Sequence, residues 1–170
     1  MKFLARQTAV SIAITAITGI ALADDGKVYP GSMAVRISGT QPDPALSYGS
    51  VANPSTTQWL YLDLPVIHDS IDKSIVNGWV EVIDRHPSYS IRVRLQSVYR
   101  TGSSIYGWWG PNKYSTGSST SKQRLSVPGL GAKSYGHYFY GASIPPSYYG
   151  GRSTIISYKV SEDTCSAIFC

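Results

Sequence analysis

Three histidines, two of which have a carboxylate close in the sequence, are the residues whose types and spacing could do catalytic chemistry. His68 directly precedes Asp69. His86 follows Asp84 by two positions, and the third histidine is His137. Such pairs occur in Ser-His-Asp hydrolases and in metal sites with two histidines and one carboxylate. Because no Gly-x-Ser-x-Gly or His-Glu-x-x-His fingerprint accompanies them, we predict no metal site and assign no catalytic residue.

A group of acidic residues offers a second kind of chemistry. Asp63, Asp69, Asp72, Glu81 and Asp84 all lie between positions 63 and 84. Two carboxylates about 5 to 9 Å apart can cleave a glycosidic bond. Glu81 and Trp79 alternate and would share one face of a strand. A solvated acidic strand would have the same pattern, so a small exported hydrolase, of glycoside type or metal-dependent, is kept as an alternative.

An aromatic segment, YGWWGPNKY at 106–114, is the strongest indication of binding. Its large rings belong to Tyr106, Trp108, Trp109 and Tyr114. Gly107, Gly110 and Pro111 disfavour regular structure, which predicts a loop or a strand end. In an extended chain Trp108 and Trp109 would point to opposite sides, one inward and one toward water or a ligand. We interpret the segment as a platform for glycans, with a small core under a long loop as the alternative.

Basic residues dominate the second half of the chain. Positions 24–84 hold eight acidic and three basic residues, whereas positions 85–160 hold ten basic residues and no acid. A one-signed half can attract anions. Alternation puts Arg92 and Arg94 on one strand face, and we predict that they and Lys113 contact anionic groups of a ligand. The alternative is cross-strand pairing of the arginines with Asp63, Asp72 or Glu81.

A second aromatic set lies in a segment rich in glycine and proline. Its members are Tyr135, Tyr138, Tyr140, Tyr148 and Tyr149. A tyrosine ring can pack while its hydroxyl stays in water, so the ordinary interpretation is the exposed face of strands. Together with the basic residues, however, the two aromatic sets favour binding over catalysis.

The elements that must position these residues are predicted to be β-strands. Period-two alternation recurs over 60–66, 79–83, 89–100, 138–144 and 156–160, with weaker candidates at 33–37 and 123–127. Clusters of Gly, Pro, Ser and Asn separate these runs, and Asn77-Gly78 could close a hairpin or end a helical turn. We predict an all-β fold, a single antiparallel β-sandwich of about seven to nine strands. Jelly-roll and immunoglobulin-like topologies both remain open.

The two ends of the chain indicate export. Lys2 and Arg6 precede an apolar run that ends in the small-residue site Ala21-Leu22-Ala23, which is typical of a signal peptide over residues 1–23. Residues 24–170 then form a single domain that is secreted or periplasmic, with no membrane span after signal cleavage. Cys165 and Cys170 are expected to form a disulfide that clips the C-terminal tail, with pairing to another chain as the alternative.

These observations favour a secreted binding module for glycans or other, possibly anionic, surface polymers. The expected partner is a polysaccharide or another surface polymer such as lipopolysaccharide or extracellular DNA. No glycine-rich phosphate loop opens a helix, so we expect no nucleotide and no other cofactor. A third interpretation is a secreted interaction protein, such as a toxin, an inhibitor or a surface subunit, and the oligomeric state stays open.

Overall fold

A computed structural model describes residues 26–37, 39–69, 75–131 and 136–162. The predicted signal peptide, Asp72, Tyr135 and the predicted disulfide between Cys165 and Cys170 lie outside these residues. The strands are β1 (Gly26–Pro30), β2 (Val35–Arg36), β3 (Ala45–Ser47), β4 (Ser50–Ala52), β5 (Leu60–Pro65), β6 (Ile75–Ile83), β7 (Arg92–Thr101), β8 (Ser104–Trp109), β9 (Lys113–Tyr114), β10 (Gln123–Leu130), β11 (His137–Ile144) and β12 (Thr154–Glu162). One turn of 3₁₀ helix covers Gly31–Met33.

The strands form two six-stranded antiparallel sheets. Sheet I has the order β10-β6-β12-β4-β3, with β1 also paired to β12. Sheet II has the order β2-β5-β11-β7-β8, with β9 also paired to β7. Eight of the twelve strands have five residues or more, and the other four have two or three. The predicted all-β sandwich is thus confirmed. The structure has twelve strands against the seven to nine predicted, and the short strands β2, β3, β4 and β9 account for the difference.

The topology is that of a jelly roll, one of the two possibilities that the sequence left open. Among the eight longer strands, sheet I contains β1-β12-β6-β10 and sheet II contains β5-β11-β7-β8. The chain changes sheet at every connection between these strands except the β7–β8 hairpin. This alternation between sheets is how a double-sheet jelly roll is wound.

The core lies between the sheets and follows the alternation of the sequence. In β7 and the residue before it, Ile91, Val93 and Leu95 are fully buried, whereas Arg92 is exposed and Arg94 is half-buried. The predicted facing of this strand is therefore confirmed. Burial of each of these aliphatic side chains contributes about 1.5 to 3 kcal/mol to the free energy of folding. The inward residues of β5, β6, β11 and β12 complete the same core.

Asn77-Gly78 does not close a hairpin but lies inside β6, which corrects the expectation from the sequence. The Tyr140 hydroxyl crosses the core and donates a hydrogen bond to the Lys159 carbonyl at 2.8 Å. A Cβ at Gly78 would collide with both groups. Glycine is needed here because a tyrosine spans the two sheets. Burial raises the pKa of the Tyr140 hydroxyl far above its ordinary value, so it stays a donor.

The buried carboxylate of Asp84 ties the two sheets together at one end of the sandwich. Its Oδ1 accepts hydrogen bonds from the Ser153 hydroxyl at 2.9 Å and the His86 amide at 3.0 Å. Its Oδ2 accepts from the Ser115 hydroxyl and from the Ile91 amide. Because these donors belong to segments that flank strands of both sheets, Asp84 acts as a cross-sheet clamp.

Within the part of the chain that the structure describes, no helix has the length and apolarity needed to cross a membrane.

Candidate functional site

The outer face of sheet II carries the residues that could contact a ligand. Strand register arranges its side chains in three rows across the sheet, about 7 Å apart. The first row holds Tyr114, Arg92, Ser143 and Tyr61, the second holds Arg94, Gly141, Asp63 and Val35, and the third holds Trp109, Gln96, Phe139 and Pro65. Aromatic rings therefore lie in the first and third rows, and the charged side chains of Arg94 and Asp63 lie in the row between them.

Trp109 lies flat on the strand because its neighbour on the same face is a glycine. A Cβ at Gly107 would stand 2.9 Å from Cζ2 of the Trp109 ring. The indole packs into this space and remains 57% exposed. The Arg94 guanidinium lies 5.8 Å from the ring centre, close enough for a cation–π contact. The result is a flat aromatic surface with a positive charge at its border.

Trp108 and Tyr106 lie on the opposite face of β8 and do not belong to this surface. Trp108 pairs with Ser97 and Tyr106 with Tyr99, and Ser97 is buried. Tyr99 stacks on both rings, with centroids 4.9 Å from Tyr106 and 5.3 Å from Trp108. The predicted four-ring platform is therefore divided between two faces. Of the two predicted placements, a loop or a strand end, the rings have the second, because β8 ends at Trp109 and β9 covers Lys113–Tyr114.

Lys113 points away from the outer face as well. It pairs directly with Val93, which is fully buried and faces the core. Side chains of directly paired residues share a face of the sheet. Of the seven residues predicted to bind, the structure therefore brings together Trp109, Tyr114, Arg92 and Arg94 on the outer face of sheet II. The other three, Tyr106, Trp108 and Lys113, lie on the opposite side of the sheet.

Two adjoining depressions make this face concave. Each has a volume of about 340 Å³, and they share Tyr61 and Arg92. Trp59 and Tyr89 extend the first depression beyond the end of the sheet, with ring centroids 5.5 Å apart. The sequence had placed Tyr61 opposite the core residues of its strand, but nothing in it placed Trp59, Tyr61 or Tyr89 beside Arg92. We call the two depressions together the sheet II groove.

The charged groups at the centre of the groove form no hydrogen bond or ion pair with the part of the chain that the structure describes. Asp63, Arg92, Arg94 and Gln96 make no side-chain hydrogen bond or ion pair with any other described residue, apart from the contact of Arg94 with Trp109. The Gln96 side chain lies over Gly141, between Arg94 and Asp63, where a Cβ would collide with it. Burial raises the pKa of the Asp63 carboxyl. These groups are available to hydrogen-bond a ligand.

The alternative that Arg92 and Arg94 pair with acids across strands is not found for the described acids. Glu81 lies on sheet I and pairs with Arg124 at 2.7 Å, and the same guanidinium lies 4.4 Å from the centre of the Trp79 ring. The Arg124 contact lowers the pKa of Glu81. Asp63, by contrast, faces the sheet II groove and forms no ion pair with a described residue. The arginines of the groove are therefore not neutralised by the acids that the sequence suggested.

The acids do not converge on one groove either. Asp63 faces out of sheet II, Glu81 faces out of sheet I, and Asp84 is buried between them. Asp69 pairs with Lys27 at 2.6 Å, beside the buried carboxylate of Glu162. The described members of the predicted acidic stock are thus spread over different parts of the molecule, which does not support the glycoside-type hydrolase.

The histidines are divided in the same way. His68 and His137 line one cavity of about 600 Å³, whereas His86 lies at the Asp84 clamp. His86 Nδ1 accepts hydrogen bonds from the amides of Ser88 and Tyr89, so this nitrogen is not available to accept a proton from a serine. In the described ranges, no three His, Cys, Asp or Glu side chains come together in a way that could hold a metal ion.

The fold and the groove define a jelly-roll β-sandwich with a concave aromatic face. No protein-family model matches the chain, and no curated protein matches it. Among solved structures it is similar to one described as a new low affinity xylan binding module CBM86, from the xylanolytic gut symbiont Roseburia intestinalis. The identity is 14%, the match covers 81% of this chain and 96% of the other, and the TM-score is 0.43.

Proposed function

We propose that this protein is a polysaccharide-binding module that holds its ligand in the sheet II groove. The observation that carries the proposal is the combination of exposed rings and unpartnered polar groups on one strand face. Trp109 and Tyr114 offer flat apolar surfaces, and Asp63, Arg92 and Arg94 lie between or beside them without an ion pair or hydrogen bond to a described residue. A sugar ring has apolar faces and hydroxyl edges, so it can satisfy both kinds of surface at once.

The energetics favour a modest affinity. Stacking on an aromatic ring contributes about 0.5 to 1.5 kcal/mol beyond the buried area. Hydrogen bonds to charged groups contribute about 1.5 to 3 kcal/mol each before the cost of ordering the ligand. A groove with two or three rings and a few charged contacts is suited to a polymer that presents many repeated units.

Export of this module is part of the proposal. It is supported by the basic start at Lys2 and Arg6, the apolar run that follows and the small residues at Ala21 and Ala23. Expression of the full chain with its own leader, followed by N-terminal sequencing of the exported protein, tests this step. A protein that stays in the cytosol with its first residues intact would contradict it.

Trp109→Ala tests the binding function directly. We expect it to weaken binding by about tenfold, because the loss of the indole removes the largest flat apolar contact. Calorimetry or affinity electrophoresis would measure this on neutral polysaccharides (β-glucan, xylan, mannan) and acidic ones (alginate, polygalacturonate). The melting temperature should change little, since the ring is more than half exposed.

Trp79→Ala is the matched control for this test. Trp79 is also an indole with a guanidinium partner, Arg124, but it lies on the outer face of sheet I. Its removal should leave polysaccharide binding unchanged. Equal losses of affinity in the two variants, or a loss of several degrees in Trp109→Ala without loss of affinity, would contradict a binding role for the sheet II groove.

A further inference from the structure

A chain of aromatic rings leads from the sheet II groove to the tip of a neighbouring turn. Trp59 contacts Tyr89 in the groove, and Tyr89 lies 4.6 Å from the ring of His86. His86 lies 5.3 Å from Tyr148, which meets Tyr149 edge to face at 4.4 Å. Tyr148 and Tyr149 line a separate depression of about 670 Å³, so ring contacts that pass through the buried His86 join the groove to a surface outside it.

Tyr149 holds its exposed position at a cost in backbone strain. Tyr148 and Gly151 exchange both backbone hydrogen bonds, so Tyr149 and Gly150 form a two-residue turn. Both central residues have positive φ, 45° at Tyr149 and 76° at Gly150. Such turns favour asparagine or glycine at the first position, where a tyrosine is strained. The Tyr149 ring is nevertheless 93% exposed, so its packing does not compensate for the strain.

Two arginines whose guanidinium groups form no hydrogen bond or ion pair with the described residues lie next to this turn. Arg85 and Arg152 line a depression of about 430 Å³. It adjoins the depression of about 670 Å³, with which it shares Arg85, Gly150 and Gly151. The side chain of Arg85 packs on Gly151, where an added Cβ would stand 3.2 Å from Arg85 Cδ. Neither guanidinium makes a hydrogen bond or ion pair with a described residue. The neighbouring Asp84 carboxylate is buried and occupied by its own four donors, so it pairs with neither.

We propose that the turn at Tyr148–Gly151, together with Arg85 and Arg152, is a second binding subsite that takes a carboxylate- or sulfate-bearing sugar unit. This inference rests on the proposed function, because the ring chain links the subsite to the sheet II groove. Two guanidiniums match one or two anionic groups, and the Tyr149 ring matches the face of the sugar that carries them. A nucleic acid would need a longer run of cations along its backbone, and this surface offers two.

The Arg85→Ala/Arg152→Ala double variant tests the subsite. Polygalacturonate and dextran sulfate are the acidic probes, and the neutral polymer that binds best in the panel above is the reference. We expect binding of an acidic probe to weaken by about tenfold in the double variant and to be salt-sensitive in the wild type, while neutral binding stays unchanged. Arg100 is an exposed arginine of β7 that donates to the Gly102 carbonyl and forms no ion pair with a described residue. The control variant Arg100→Ala should change neither the acidic nor the neutral binding.

Tyr149→Asn separates a functional ring from a structural one. Asparagine tolerates the positive φ, so the melting temperature should rise by about 2 to 4 °C while binding of the acidic probe weakens. Tyr48→Asn is the matched control, because Tyr48 has the same φ of 45° in a Tyr-Gly turn and does not line these depressions. It should raise the melting temperature by a similar amount and leave binding unchanged.

The outcomes keep the two proposals apart. Loss of neutral binding in Trp109→Ala with no effect of the double arginine variant on acidic probes would overturn the subsite and leave the sheet II groove. Acidic probes that fail to bind the wild type would also overturn the subsite. A single-stranded oligonucleotide or vesicles of phosphatidylglycerol that bind more tightly than the acidic probes, and lose binding in the same double variant, would assign the arginines to a different partner and overturn it.

Discussion

At the scale of single residues, the environment decides which aromatic side chains can serve a ligand. Trp108 and Trp109 are adjacent and chemically identical, yet one stacks on Tyr99 and the other lies open on Gly107. Trp79 is a third case, since Arg124 covers its face. Arg94 lies farther from the Trp109 ring centre, at 5.8 Å, than Arg124 does from Trp79, at 4.4 Å. An exposed ring that no guanidinium covers closely, next to polar groups that form no ion pair with a described residue, is the combination that indicates a binding surface.

Asp63→Asn is a residue-scale prediction in which stability and binding change in opposite directions. Burial raises the pKa of the Asp63 carboxyl, so the folded protein holds this proton more tightly than the unfolded chain does. Ionised Asp63 is therefore a cost to folding above its raised pKa, and asparagine removes that cost. We expect the variant to be more stable at neutral pH, with a gain that falls as the pH drops and vanishes below about 4.

Binding should weaken in the same variant, because an amide nitrogen replaces an oxygen that accepts hydrogen bonds from sugar hydroxyls. Chemical unfolding at several pH values and calorimetry on the best ligand measure the two effects. Asp43→Asn, an exposed acid paired with Arg36, is the control and should change neither. A stability gain with unaltered affinity would exclude the carboxylate from the site.

At the scale of elements, glycines set the shape of the sheet faces. Gly107 makes room for the Trp109 ring, Gly141 for the Gln96 side chain, and Gly78 for the Tyr140 hydroxyl. All three lie inside strands, where a glycine weakens the strand unless another group uses the space. From the sequence alone, the first and third of these glycines indicate a break or a turn. In the fold each is instead the position where a large side chain crosses or covers the backbone.

Gly107→Ala tests this role in β8. The new methyl group would stand within 2.9 Å of the Trp109 ring, so the ring must tilt away from the strand. We expect affinity to fall toward that of Trp109→Ala, while stability changes by less than about 1 kcal/mol because the exposed ring can move. Gly131→Ala, where an added Cβ meets nothing within 4 Å, is the control. Unchanged affinity in Gly107→Ala would show that the flat orientation of the indole is not needed.

At the scale of the whole molecule, the Asp84 clamp connects the two sheets next to both proposed binding surfaces. The residues that donate to it lie beside β7 and β9 of sheet II and beside β12 of sheet I. His86, which follows the clamp, is also the central ring of the aromatic chain. The clamp therefore holds the end of the sandwich on which the groove and the turn depend.

Asp84→Asn should destabilise the fold by about 2 to 4 kcal/mol, because an amide group would face donors that need an acceptor. Chemical denaturation measures the change, and the Asp43→Asn variant again serves as the surface control. The residual folded protein should also bind polysaccharide less well if the clamp positions Tyr89 and Tyr148. A loss below about 0.5 kcal/mol would show that water or a rearranged side chain can replace the carboxylate.

The sequence by itself determined five long strands of the core, β5, β6, β7, β11 and β12, and the facing of their side chains. In β7, alternation alone assigned Val93 and Leu95 to the core and Arg92 and Arg94 to the opposite face, because side-chain direction in a strand is a local property with a period of two. The weaker or shorter strands were not recognised where glycine interrupted the pattern, as in β8, or where two or three residues made the strand, as in β3 and β4.

Only the tertiary structure decided which side chains share the proposed binding surface. Asp63 and Arg94 lie on either side of Gly141, although the three residues belong to three strands that are far apart in the chain. Strand order and register depend on how the whole core packs, so a short stretch of sequence does not determine them. For this same reason Tyr114 lines one groove with Tyr61, Trp109 lies on the same sheet face beside that groove, and Trp108 lies on the opposite face.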